Sequence, residues 1–120
     1  MECPYCGKTA EWCENKKVYG KNYGKSYMCY YCGRCGSYVG CHNNTKRPLG
    51  TMAKKNLRRK RINAHNAIDI VWKTGKMTRT DVYKLLKNYF EKEIHIGESN
   101  IKECEKIINF AEKLKRQFFS

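Results

Sequence analysis

No apolar run in this 120-residue sequence approaches the roughly 18–20 residues that a membrane-spanning helix needs. The N-terminus carries Glu2 and Cys3 with no apolar stretch behind them, so no secretory signal is expected. Acidic side chains are scarce, 11 Asp and Glu against 25 Lys and Arg, for a formal net charge of +14. That balance excludes an acidic mimic of nucleic acid. No low-complexity tract is present, and nothing repeats except short cysteine motifs. Apolar residues are not lacking, at 41%, and aromatics reach 12%, which argues against a disordered chain. The expectation is a cytoplasmic protein without membrane association.

Eight cysteines are present, and seven of them fall in the first 41 residues: Cys3, Cys6, Cys13, Cys29, Cys32, Cys35 and Cys41. The eighth is Cys104. In a reducing compartment thiolates bind metal more readily than they pair as disulfides. The cysteine-rich segment is also the one least able to stabilise itself by apolar burial.

Residues 1–46 read as short strands and turns, rich in Cys, Gly and Tyr, with no 3.6-residue periodicity. Arg47-Pro48-Leu49-Gly50 is a break, and Thr51 reads as the N-cap of a helix from Met52 to about Trp72. Its Ala53, Leu57, Ala64, Ile68 and Val71 share a narrow arc. Thr78-Arg79-Thr80-Asp81 resembles a capping box and predicts a second helix to about Phe90. Ser99 or Asn100 caps a third, in which Ile101, Cys104, Ile107, Ile108, Ala111, Leu114 and Phe118 recur at three- and four-residue steps. The reading is α+β: a zinc-ribbon module of short β-hairpins over residues 1–50, then a three-helix region over residues 51–120 packed on it.

Cys3-Pro4-Tyr5-Cys6-Gly7 and Cys32-Gly33-Arg34-Cys35-Gly36 are two C-x-x-C-G knuckles. A glycine after the second cysteine lets the chain turn so that backbone N–H groups point at sulfur. Two such knuckles make a closed tetrahedral Cys₄ zinc site. Cys29-Tyr30-Tyr31-Cys32-Gly33 has the same form and overlaps at Cys32, so spacing alone leaves the second pair open. Cys13, Cys29 and Cys41, with His42, lack paired spacing; one structural zinc is expected and a second is not. Cys104 lies on an apolar helical stripe and reads as core.

The chain resembles a small family of phage and prophage zinc-finger-containing proteins of unassigned function. The resemblance rests on Cys3-Pro4-Tyr5-Cys6-Gly7, Tyr19-Gly20, Tyr23-Gly24, and Cys32-x-x-Cys35 leading into Ser37-Tyr38-Val39-Gly40. It continues through His42, Thr45, Arg47-Pro48-Leu49-Gly50-Thr51, Leu57-Arg58, Arg61, His65, Asp69, Trp72-Lys73, His95-Ile96-Gly97 and Cys104. It implies Cys3, Cys6, Cys32 and Cys35 as the zinc ligands and a bacteriophage source. It implies no activity, and Cys13, Cys29 and Cys41 look like additions to the pattern.

Charge is unevenly placed. Residues 51–76 carry eight basic side chains and one acid, Asp69. Lys54, Lys55, Arg58, Arg59, Lys60 and Arg61 put six cations in eight residues, a density that suits a polyanion backbone. Tyr19, Lys21, Tyr23, Lys25 and Tyr27 alternate with other residues between the knuckles. On a hairpin, Lys21, Tyr23, Lys25 and Tyr27 would offer rings for stacking and ammonium groups for phosphate, a face that suits single-stranded nucleic acid. For Tyr19 and Tyr38 the favoured reading is that they cover a small core, and for Tyr23 and Tyr27 the two readings stand level.

Arg58, His65 and Asp69 lie on one side of the first helix, with His65 and Asp69 at i, i+4 and Trp72 beside them. A structural pair is the favoured reading, since a hydrolytic nuclease needs an open metal site or more acids. His95 reads as a junction histidine. The functional expectation is a basic, cytoplasmic, phage-type zinc protein that binds DNA or RNA as an accessory or regulatory factor, with no catalytic residue assigned. The first alternative is a factor that docks on a host protein and inhibits a host enzyme or defence system. The second is an enzyme acting on nucleic acid through His65 and Asp69.

Overall fold

The computed structural model describes residues 1–119, with side chains through Gln117. The chain divides into two compact units, Met1–Asn56 and Leu57–Ser120.

Unit 1 is built on a three-stranded antiparallel sheet in the order β1 (Glu11–Glu14), β2 (Met28–Tyr31), β3 (Tyr38–Gly40). Cys13 lies opposite Cys29, Tyr30 opposite Val39, and Tyr31 opposite Tyr38. A single helical turn, α1 (Lys16–Tyr19), sits between β1 and β2 and ends at Gly20, whose φ of 85° is left-handed. One turn is too short to leave a periodic trace, which is why the sequence reading missed it. The buried apolar cluster is small: Cys3, Ala10, Cys32, Val39 and Met52, with Tyr30 and Cys35 against it. A cluster that size does not hold fifty residues together without a metal or a cross-link.

The sequence reading starts the first long helix at Met52, but α2 runs Lys55–Lys73. Tyr38 and Ala53 exchange backbone N–H···O bonds of 3.1 Å, so the chain before α2 extends the sheet edge. Met52 and Ala53 are buried in unit 1 rather than on the helix stripe. Thr51 therefore lies outside the helix and does not cap it. For the same reason unit 1 extends to residue 56 and not 50.

Unit 2 contains most of α2, then α3 (Arg79–Phe90) and α4 (Ile101–Phe119). Its core gathers Ala64, Ile68 and Val71 of α2, Val82 and Leu86 of α3, and Cys104, Ile107, Ala111 and Leu114 of α4. Ile94 and Ile96 close it from the loop between α3 and α4. Phe118, assigned by periodicity to the α4 stripe, lies outside the described side chains. Thr78 and Asp81 form the capping box: the Asp81 N–H donates to Thr78 Oγ1 at 3.1 Å, and the Thr78 N–H donates to Asp81 Oδ2 at 3.3 Å. Asn100 caps α4, accepting from the Glu103 N–H at 2.8 Å. Among the described residues no helix is long and apolar enough to cross a membrane.

Candidate metal centre

The two knuckles have the same backbone. The Cys3 N–H donates to Lys8 O at 2.8 Å and the Gly7 N–H to Cys3 O at 2.8 Å. In the second knuckle the Cys32 N–H donates to Ser37 O at 3.0 Å and the Gly36 N–H to Cys32 O at 2.8 Å. Gly7 and Gly36 both take left-handed φ, 75° and 72°. These turns carry Cys3, Cys6, Cys32 and Cys35 together, with all four Sγ atoms within 4.8 Å of one another. Cys6 Sγ and Cys32 Sγ are 3.7 Å apart. A tetrahedral site with Zn–S bonds of about 2.3 Å has sulfur–sulfur edges of about 3.8 Å, so the cage has the dimensions of a zinc site.

The surroundings also fit. Burial pushes the Cys3 thiol up, but the Ser37 hydroxyl, the N–H groups of Cys6 and Tyr5 and the Cys32 thiol outweigh it and bring the pKa down to about 6. Ser37 is fully buried, with Oγ 3.3 Å from Cys3 Sγ. Cys35 moves the other way, to about 12, through burial and then the neighbouring thiols of Cys6, Cys3 and Cys32. Four acidic groups in one cage resist successive ionisation, and a divalent cation relieves that repulsion. The site holds one structural zinc ion through Cys3, Cys6, Cys32 and Cys35. Bound there, zinc cross-links the two knuckles and supplies folding free energy. Four thiolates and Zn²⁺ together contribute −2, taking the formal charge from +14 to about +12.

Cys29 is no ligand of this site. It faces Cys13 across β1 and β2, and Cys13, Cys29 and Cys41 are all buried. Burial raises all three thiols, Cys29 to about 12, and leaves them protonated small apolar groups. Among the described residues the four-sulfur set is the one group of three or more ligand side chains close enough to share a metal. His42 is exposed at the start of the 3₁₀ turn His42–Asn44. Cys104 is fully buried in the core of unit 2.

The residues assigned to nucleic acid divide by environment. Lys21, Tyr23 and Lys25 are exposed on the segment joining α1 to β2, and Tyr27 is half-buried. Lys54, Lys55 and Arg59 are exposed, while Arg58 and Lys60 are half-buried. Lys60 Nζ lies 3.4 Å from Glu105 Oε1. Arg61 departs from the expectation. It is only 9% exposed, and its Nε donates to Ser99 O at 2.9 Å, so it fixes the α3–α4 loop.

Three exposed rings of unit 1 each lie under a lysine ammonium. Lys54 Nζ is 4.7 Å from the Tyr5 ring centre, Lys46 Nζ 5.4 Å from Trp12, and Lys21 Nζ 5.1 Å from Tyr23. The sequence reading did not select Trp12, Lys46 or Tyr5 for this surface, because folding and not spacing pairs them. It gave Ser37 no role beyond its place in the resemblance, and it missed Asn15 and Asn44. Only Asn44 left a signal: tandem asparagines suit left-handed backbone, and Asn43 and Asn44 have φ of 45° and 60°.

In unit 2 the Trp72 Nε1–H donates to Asp69 Oδ1 at 2.9 Å. His65 is exposed; partial desolvation still lowers the pKa of its ring, with Asp69 opposing and Arg79 assisting. Arg79 stacks 4.7 Å from the Tyr83 ring centre, tying α3 to its own first turn. His95 is exposed, and its carbonyl accepts from Ser99 Oγ at 3.1 Å.

No curated protein and no solved structure matches this sequence. A family model does, over residues 1–114, a span that takes in both knuckles and nearly all of unit 2. The chain, with its four-cysteine cage, belongs to the family described as a zinc-finger-containing domain.

Proposed function

We infer that this protein is a nucleic-acid-binding accessory or regulatory factor of phage type, acting in the cytoplasm, whose zinc is structural. The observation that carries the reading is the set of three exposed rings in unit 1, each with a lysine ammonium above it. Lysine neutralises phosphate and an aromatic ring accepts a base, so each pair offers both parts of a nucleotide a partner. Lys55 adds an exposed cation in the same unit. The four-cysteine cage supports binding over catalysis, because four protein ligands complete a zinc tetrahedron and leave no place for a reacting water. Asp69 accepts a hydrogen bond from Trp72, which suits a helix-positioning role better than that of a carboxylate serving a general base.

A host-protein target is the second reading. Ile62 and Ile70 of α2 are 59% and 46% exposed, and two turns of helix place them on one side. The discriminating experiment is binding of the zinc-loaded protein to labelled DNA and RNA across a salt series. A linear fall of log affinity with log salt is expected. Absence of binding at low salt by folded, zinc-loaded protein would overturn the nucleic-acid reading in favour of the protein target.

A further inference from the structure

We propose that Tyr19, Tyr23 and Tyr38 form a preorganised stacking platform for unpaired bases, which makes the ligand single-stranded nucleic acid. This rests on the nucleic-acid reading above and adds the strand state of the ligand.

The three rings form one edge-to-face cluster. Tyr19 and Tyr23 have centroids 5.1 Å apart at 83°, and Tyr19 and Tyr38 5.6 Å apart at 87°. The hydroxyls of Tyr19 and Tyr38 are hydrogen-bonded to each other. Tyr19 is 47% exposed and Tyr23 49%. Rings that merely roofed a core would be covered; Tyr19 and Tyr23 present aromatic surface to solvent, and the half-buried Tyr38 backs them.

Their support is polar, from the buried Asn15 and the half-buried Asn44. Asn15, 9% exposed, holds both main-chain groups of Tyr23: its Nδ2 donates to Tyr23 O at 3.0 Å and its Oδ1 accepts from the Tyr23 N–H at 2.9 Å. Asn44 holds the far end of the same segment. Its Oδ1 accepts from the N–H groups of Tyr27 and Met28 at 2.7 and 3.1 Å, and its Nδ2 donates to Lys25 O at 3.3 Å. A loop clamped at both ends gives up little entropy on binding, and a tyrosine ring has few rotatable bonds to freeze.

Charge completes the platform. Lys21 Nζ lies 5.1 Å from the Tyr23 ring centre over one face, which puts a cation beside the ring for the phosphate of a base stacked on the other, and Lys25 is exposed two residues beyond Tyr23. The nearby acids Glu14 and Glu11 are paired with Lys16 and Lys17, at 3.2 and 2.5 Å. In a duplex the base faces already stack on one another, so the rings have nothing to accept. In a single strand each base has a free face.

The test compares a labelled oligothymidylate of about twelve nucleotides with a duplex of the same length at one salt concentration. Tighter binding of the single strand is expected. Tyr23→Ala should weaken single-strand binding by about tenfold and leave duplex binding unchanged, while Tyr23→Phe retains single-strand binding. Zinc content of each variant, measured alongside, confirms that the fold is kept. Equal affinity for both strand states, or a zinc-loaded Tyr23→Ala that binds the single strand as wild type does, overturns the platform and leaves the broader reading standing. Failure to bind either probe overturns both.

Discussion

Gly36 stands to Cys32 as Gly7 stands to Cys3. Each glycine has a left-handed φ, and each N–H closes on the carbonyl of the first cysteine of its knuckle at 2.8 Å. Gly33, the glycine of the competing Cys29-Cys32 motif, is not in the left-handed region. The choice between two overlapping motifs is thus made by backbone conformation.

The first prediction follows from the cage. The protein should carry one zinc per chain. Cys35→Ser should lose it and Cys29→Ser should retain it, read by metal analysis after dialysis. A chelator should unfold unit 1, because its apolar cluster is too small to persist alone. Retention of zinc by Cys35→Ser would contradict the assigned ligand set.

The knuckle glycines can be separated by alanine. Gly36→Ala places a Cβ at φ of 72°, which costs about 1 kcal/mol, and zinc should then be released at lower chelator concentration. Gly33→Ala meets only the Tyr31 ring, at 3.9 Å, and should leave chelator resistance as in wild type. Equal sensitivity of the two variants would remove the conformational argument.

Arg59 and Arg61 are neighbours in sequence with opposite roles. Arg61→Met should lower the stability of unit 2 by about 1–3 kcal/mol, since Ser99 O loses its charged donor. Arg59→Gln should leave the melting temperature unchanged and reduce the salt slope of nucleic-acid binding by about one. Thermal melts and a salt titration of both variants check this together.

His65 should make unit 2 sensitive to mild acid. Partial desolvation of this exposed ring holds its folded pKa below the ordinary 6.5, so the unfolded chain takes up the proton first, and solvent screening keeps the effect small. Its contribution is fully present above 6.5 and is lost as pH falls through the folded value. Asp69, Arg79 and Tyr83 are the charged and titratable groups with which the cluster interacts. The His65 ring resonances should therefore titrate below 6.5, and His65→Gln should flatten the decline of helix stability below pH 6.5. A midpoint above 6.5 would reverse the sign.

Much of this protein is written in short-range spacing. Cys3-x-x-Cys6 and Cys32-x-x-Cys35 bring sulfurs together within single turns, and three-and-four periodicity marks Ala64, Ile68 and Val71 or Cys104, Ile107 and Ala111 as buried faces. Thr78 with Asp81, and Asn100, declare helix starts because capping is a contact between residues three apart. These features depend on neighbours along the chain, so the sequence by itself determined them. Only the tertiary structure decided the rest. The left-handed turn at Gly36 seats Cys35 in the cage, a choice that spacing left open and the resemblance implied, and the pairing of Tyr38 with Ala53 holds Met52 back from α2. Burial against Ser99 removed Arg61 from a surface where its charge alone had placed it, and the side chains of Asn15 and Asn44 reached across 8 and 19 residues to the loop bearing Tyr23. Such partners meet only after the chain has folded, and no local pattern encodes which distant backbone group a buried arginine or asparagine will find.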